Sequence, residues 1–96
     1  MATIGSLDNF RITETATFAK RMSSRVFKNH YDRIREIMYP VLWHNPLSGP
    51  SIKRLQGELS SIYRYRIGDY RLFYTVDLKE KLVFILDFDN LQDAYR

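Results

Sequence analysis

The sequence has no cysteine, only two histidines, no apolar run near the roughly 20 residues that span a bilayer, and a net charge of only +4 over 96 residues. Each absence removes a class of function. Without cysteine there is no disulfide framework and no zinc-thiolate site, so the core must hold itself together. Met1-Ala2-Thr3-Ile4-Gly5 has neither a basic n-region nor an apolar h-region, so the expectation is a cytoplasmic chain with no signal peptide. A glycine-rich phosphate loop and a nucleophile elbow are missing as well. His44 opens a proline loop with no carboxylate or second histidine at a useful spacing, and His30 lies beside an apolar stripe as a packing or half-exposed residue rather than a catalytic one, so no metal is expected.

What is present is the composition of a folded domain. Hydrophobic residues make up 45% of the chain and charged residues 27%, which argues against a disordered tail. The length predicts a single domain over 1–96, with 1–9 as a loose polar leader. The positive charge hints at an anionic partner without specifying one.

The first half has helical periodicity. Phe10-Arg11-Ile12-Thr13 alternates as a short strand. Thr13 then suits a helix N-cap with Glu14 in the first turn, and Ala16, Phe18, Ala19 and Met22 form an apolar stripe on a helix ending near Arg21. Ser23-Ser24 breaks that helix and caps the next. Phe27, Tyr31, Ile34 and Met38 follow at helical spacing, and Pro40 is expected to end the helix near Tyr39. The two helices make an αα-hairpin. Asn45 to Pro50 is a loop, and residues 53–57 show no decisive period.

The second half alternates as strands. Ile62 to Ile67 and Tyr70 to Val76 flank Gly68-Asp69, a two-residue link suited to a type II′ turn. That turn sets a register in which Ile67 faces Tyr70, Arg66 faces Arg71, Tyr65 faces Leu72 and Arg64 faces Phe73. One sheet face is then rich in tyrosine and suited to the core. The other carries Arg64, Arg66 and Arg71 with Phe73 and Thr75. Leu82 to Leu86 is an unbroken apolar run, as in a central strand covered on both sides. Residues 87–96 are expected as a short, mostly polar end.

Like charges opposite one another on a sheet are unfavourable, so the arginine face calls for a reason. Guanidinium forks match phosphate oxygens, and Phe73 can stack on a base. A solvated basic face, or one covered by an acidic partner chain, accounts for the pattern equally well. Asp87 and Asp89 lie two apart, which fits ordinary surface carboxylates better than an acid–base pair.

Ile52-Lys53-Arg54-Leu55-Gln56-Gly57, followed by Tyr63-Arg64-Tyr65-Arg66-Ile67-Gly68-Asp69-Tyr70-Arg71-Leu72-Phe73-Tyr74, resembles the RelE/ParE superfamily of type II toxin–antitoxin toxins, and its RelE-like branch in particular. The likeness runs from Phe10 nearly to the end. It implies an α+β fold: a short N-terminal strand and a helical hairpin packed on a small antiparallel sheet. RelE-like members cleave mRNA in the ribosomal A site by 2′-hydroxyl attack on the adjacent phosphate, whereas ParE-like members poison DNA gyrase. Residue by residue, the resemblance implies a catalytic set of Arg64, Arg66, Arg71 and Tyr95. It adds RNA contacts from Lys53, Arg54, Phe73 and Asn90, with no cofactor. Arginine is too weak an acid to serve as a base, which leaves Tyr95 for proton removal, although an ordinary tyrosine titrates only near 10. Leu91 stands where relatives carry an arginine, through divergence or an attenuating substitution, and this puts nuclease activity in doubt. The implied partners are a cognate acidic antitoxin, the ribosome and mRNA, with no membrane. A ParE-like gyrase inhibitor is the alternative, and a basic RNA- or protein-binding module is a third reading.

Overall fold

The computed structural model describes residues 3–4 and 9–91. Six strands form one sheet in the order β1-β2-β6-β5-β4-β3. They are β1 (Thr3–Ile4), β2 (Arg11–Glu14), β3 (Ile52–Arg54), β4 (Tyr63–Ile67), β5 (Tyr70–Asp77) and β6 (Leu82–Asn90). Neighbours pair antiparallel except β2 and β6, which run parallel with Ile12 beside Val83. The expected leader contributes to the sheet, since Thr3 and Ile4 pair with Thr13 and Ile12.

Helices α1 (Ala16–Met22), α2 (Lys28–Arg33) and α3 (Tyr39–His44) cover one face. Phe18, Ile34, Met38 and Leu42 from the helical layer meet Ile12, Leu72, Tyr74, Val83, Ile85 and Phe88 from the sheet, all essentially inaccessible. This is the tyrosine-rich face that the hairpin register predicts as the core side. On the other face Leu82, Phe84 and Leu86 are only half-buried, so β6 is central, as expected, but covered by helices on one side among the described residues.

Three local expectations are corrected. The cap of α1 is Thr15 rather than Thr13: its hydroxyl accepts from the Phe18 N–H at 3.3 Å and donates to the Ile85 carbonyl at 2.8 Å. Thr13 and Glu14 stay in the strand, because their backbones pair with β6. The helical arm also runs through Pro40 to His44. A π turn, Ile34–Met38, joins α2 to α3, with the Tyr39 N–H bonded to the Ile34 carbonyl five residues back. Proline has no N–H and its ring collides with the carbonyl four residues earlier in a regular α-helix; the wider turn gives it room. Finally, the segment without a decisive period overlaps β3, which is too short for alternation to register.

Glu14 is 6% exposed. Its carboxylate accepts from the Tyr31 hydroxyl at 2.8 and 3.0 Å and from the Tyr39 hydroxyl at 2.7 Å. Two donors from the helical arm therefore satisfy an anion on the sheet. Burial, together with this carboxylate, pushes Tyr31 up to about 12 and Tyr39 well above the ordinary tyrosine value.

Candidate nucleic-acid interface

The β4–β5 hairpin has the register expected from its turn: Ile67 opposite Tyr70, Arg66 opposite Arg71, Tyr65 opposite Leu72 and Arg64 opposite Phe73. Gly68 has φ +56° and Asp69 is not in the left-handed region, as a type II′ turn requires. Two rows of side chains then cross the open face. One runs Lys53, Arg64, Phe73, Asp87, and the other runs Arg66, Arg71, Asp89. The structure thus brings together Arg64, Arg66, Arg71, Phe73 and Lys53. A shallow groove beside them is lined by Lys53, Arg64 and Arg66 with Pro50, Ser51 and Gly68.

Their environments differ. Arg66 and Lys53 are exposed, while Arg64, Arg71 and Phe73 are half-buried. The Arg66 Nε–H donates to the Gly68 carbonyl at 3.0 Å, which holds the guanidinium beside the turn. Arg71 forms an ion pair with Asp89, and this relieves the repulsion between Arg66 and Arg71. The Nε–H groups of Arg64 and Arg71 are buried with no acceptor. The face is therefore cationic and partly neutralised, and its exposed donors, on Arg66 and Lys53, are the ones that can give an incoming phosphate charge-assisted hydrogen bonds.

Other expected site residues lie elsewhere. Arg54 pairs with Tyr63, on the opposite side of β3 from Lys53, and its Nε–H donates to the Ser60 carbonyl. Asn90 is on the helical side, opposite Tyr70 and close to His30. Simple alternation from Val83 and Ile85 would put Asn90 with the arginines. A bulge in β6 reverses the faces: Ile85 pairs with Tyr74 but Asp87 with Phe73, leaving Leu86 unpaired. Leu91 is half-buried at the end of β6, its N–H donating to the Asp69 carbonyl at 2.8 Å. Tyr95 lies outside the described residues.

Sequence reasoning missed Asp89 as a member of the arginine face. The signal was indirect, since Asp87 and Asp89 alternate in phase with the cationic positions only once the bulge is placed. No group of three metal-ligating side chains occurs among the described residues, and none of their helices is long and apolar enough to cross a membrane.

Comparison with known proteins is consistent with this architecture. Residues 17–95 match the family described as the ParE toxin of the type II toxin–antitoxin system parDE. A chain of the RelBE2 toxin–antitoxin complex from Mycobacterium tuberculosis is 26% identical, with a TM-score of 0.73 over 85% of this chain and 98% of that one. A chain of the archaeal RelE–RelB complex from Pyrococcus horikoshii is 28% identical, with a TM-score of 0.65 over 86% and 96%. A chain of the YoeB–YefM complex from Staphylococcus aureus, 24% identical with a TM-score of 0.60 over 83% and 94%, shares the fold. No curated protein matches the chain. Both the matched family and the shared α+β architecture lead to one conclusion: the chain belongs to the RelE/ParE superfamily, the toxins of type II toxin–antitoxin systems.

Proposed function

We propose that this toxin acts as a metal-independent endoribonuclease on mRNA in the ribosome, and that a cognate acidic antitoxin holds it in check. The observation that carries the reading is the gathering of Arg64, Arg66 and Arg71 on one open sheet face beside Phe73 and Lys53. In the reaction, the RNA 2′-oxygen loses its proton and bonds to the adjacent phosphorus. The bond from phosphorus to the 5′-oxygen breaks, and that oxygen takes up a proton. The products are a cyclic phosphate and a free 5′-hydroxyl. Charge accumulates on the phosphorane, where fixed guanidinium donors stabilise it most. Arg64, Arg66 and Arg71 have that role, Phe73 supports a base, Lys53 extends the cationic row, and Tyr95, as its phenolate, takes the 2′-proton to become the neutral phenol. The antitoxin partner is supported by the relatives, which are themselves toxin–antitoxin complexes. An acidic segment laid on the arginine face is the mode of inhibition that fits its charge.

A second reading, inhibition of DNA gyrase, is favoured by the match to a family described by its ParE toxins and by Leu91 standing in place of an arginine. Induction of the chain in growing cells separates the two. Mapped 5′ ends inside translated codons support the nuclease. A DNA-damage response without mRNA cuts supports the gyrase reading. Toxicity that survives Arg66→Glu and Arg71→Glu would remove the arginine face from either.

A further inference from the structure

On the helical side of the sheet, behind the β4–β5 turn, an open cleft of about 410 Å³ is lined by His30, Asp69, Tyr70 and Asn90 among others. Tyr70 and Asn90 are register partners and the last pair of the β5–β6 ladder. His30, on α2, touches both. Its Nδ1 is hydrogen-bonded to the Tyr70 hydroxyl, and its Nε2 lies 3.5 Å from Asn90 Nδ2. The imidazole stands edge-on to the Tyr70 ring at 5.1 Å and leans on Phe88 at 5.7 Å. One residue further, the Leu91 N–H is held by the Asp69 carbonyl.

A neutral imidazole has one N–H and one lone pair. Nδ1–H given to the Tyr70 oxygen and Nε2 accepting from the Asn90 amide use both, in one tautomer. The ring therefore joins the ends of two strands through opposite edges, a task for which aromatic packing alone requires no nitrogen. We propose that His30 is a positioning residue for the end of β6: by tying Tyr70 to Asn90, it fixes where the chain leaves the sheet at Leu91. The consequence for catalysis rests on the nuclease reading, because that reading counts Leu91 among the positions of the site.

Hydrogen exchange in the full chain tests the proposal, comparing the Leu91 amide with the Val83 and Ile85 amides inside the sheet. His30→Phe keeps an aromatic ring against Phe88 and removes both nitrogens. Tyr70→Phe keeps its ring and removes only the hydroxyl. Each is expected to speed exchange at Leu91 by roughly tenfold or more while the two interior amides stay within about twofold of the parent. His30→Gln, which again offers an amide to Asn90, restores protection at Leu91. Exchange at Leu91 unchanged in both ring-preserving variants, or an equal acceleration at all three amides, overturns the proposal. Cleavage of a translated mRNA is read on the same proteins. A parent chain that cuts nothing sinks the nuclease reading alone, and the exchange data still decide the role of His30.

Discussion

Arg71 and Asp89 face each other across β5 and β6 as an ion pair on the same open surface as Arg64 and Arg66. The pair makes a crowded cationic surface tolerable in the folded chain, and under the nuclease reading it also occupies a guanidinium that RNA would use. Asp89→Asn is therefore expected to strengthen binding of a short single-stranded RNA roughly fivefold and to steepen the dependence of log K on log salt by about 0.7, one further phosphate contact. Both groups are about one-third exposed, so the loss of stability stays within about 1 kcal/mol. Anisotropy titrations at several salt concentrations measure the effect, and an unchanged salt slope means that Arg71 does not meet phosphate.

Glu14 sits under the helical arm with the Tyr31 and Tyr39 hydroxyls donating to it. Glu14→Ala leaves both hydroxyls without their acceptor and opens a void, at an expected cost of about 2–4 kcal/mol. Glu14→Gln keeps one acceptor oxygen and is expected to cost about half as much. Urea unfolding of the two variants gives the comparison, and equal costs would mean that the carboxylate is not what the tyrosines require.

The same cluster sets an alkaline limit. Tyr31 is pushed up to about 12, first by burial and then by its bond to Glu14, whereas an unfolded tyrosine titrates near 10. A folded value above the unfolded one means stability that is fully present below pH 10 and lost as pH rises from about 10 towards 12. Tyr39 and Tyr74, pushed higher by burial, continue the loss in the same direction. Thermal melts between pH 9 and 12 should show a decline that begins near 10. In Tyr31→Phe the decline should be shallower.

Gly68 carries the hairpin whose register places Arg66 opposite Arg71. A methyl group added there would meet nothing within 4 Å, so the cost of Gly68→Ala is that of the positive-φ backbone alone, about 1–3 kcal/mol. Denaturant midpoints with an unchanged m-value would show this. A much larger loss would point to a rearranged turn and a shifted arginine row.

That glycine also explains why so much of the site was legible in the sequence. A two-residue turn with glycine first fixes register, register fixes faces, and Arg64, Arg66 and Arg71 fall together by simple alternation. Legibility ended where one local irregularity changed the phase. The β6 bulge at Leu86 moved Asp89 onto the arginine face and Asn90 off it, and nothing in the apolar run marks where the extra residue enters. Pro40 misled for a related reason, because a π turn is a tertiary solution to a local conflict. Glu14 looked like a first-turn anion because its two tyrosine partners lie 17 and 25 residues away.

Leu91 tests the chemistry most directly. It follows the last residue of β6 with its N–H on the Asp69 carbonyl, a backbone contact that any side chain other than proline can keep. Leu91→Arg therefore adds a guanidinium to the C-terminal segment without removing that bond. If the site is a nuclease lacking one phosphate donor, growth arrest and mRNA cleavage should rise by roughly 10²-fold, the scale of a single donor to a developing oxyanion. The double variant Leu91→Arg with Arg71→Gln should lose most of that gain, since the two guanidiniums would act on one phosphorane. Unchanged cleavage in Leu91→Arg, with the arginine face intact, would show that Leu91 does not limit the reaction. A rise in toxicity without any mRNA cuts would move the case to gyrase.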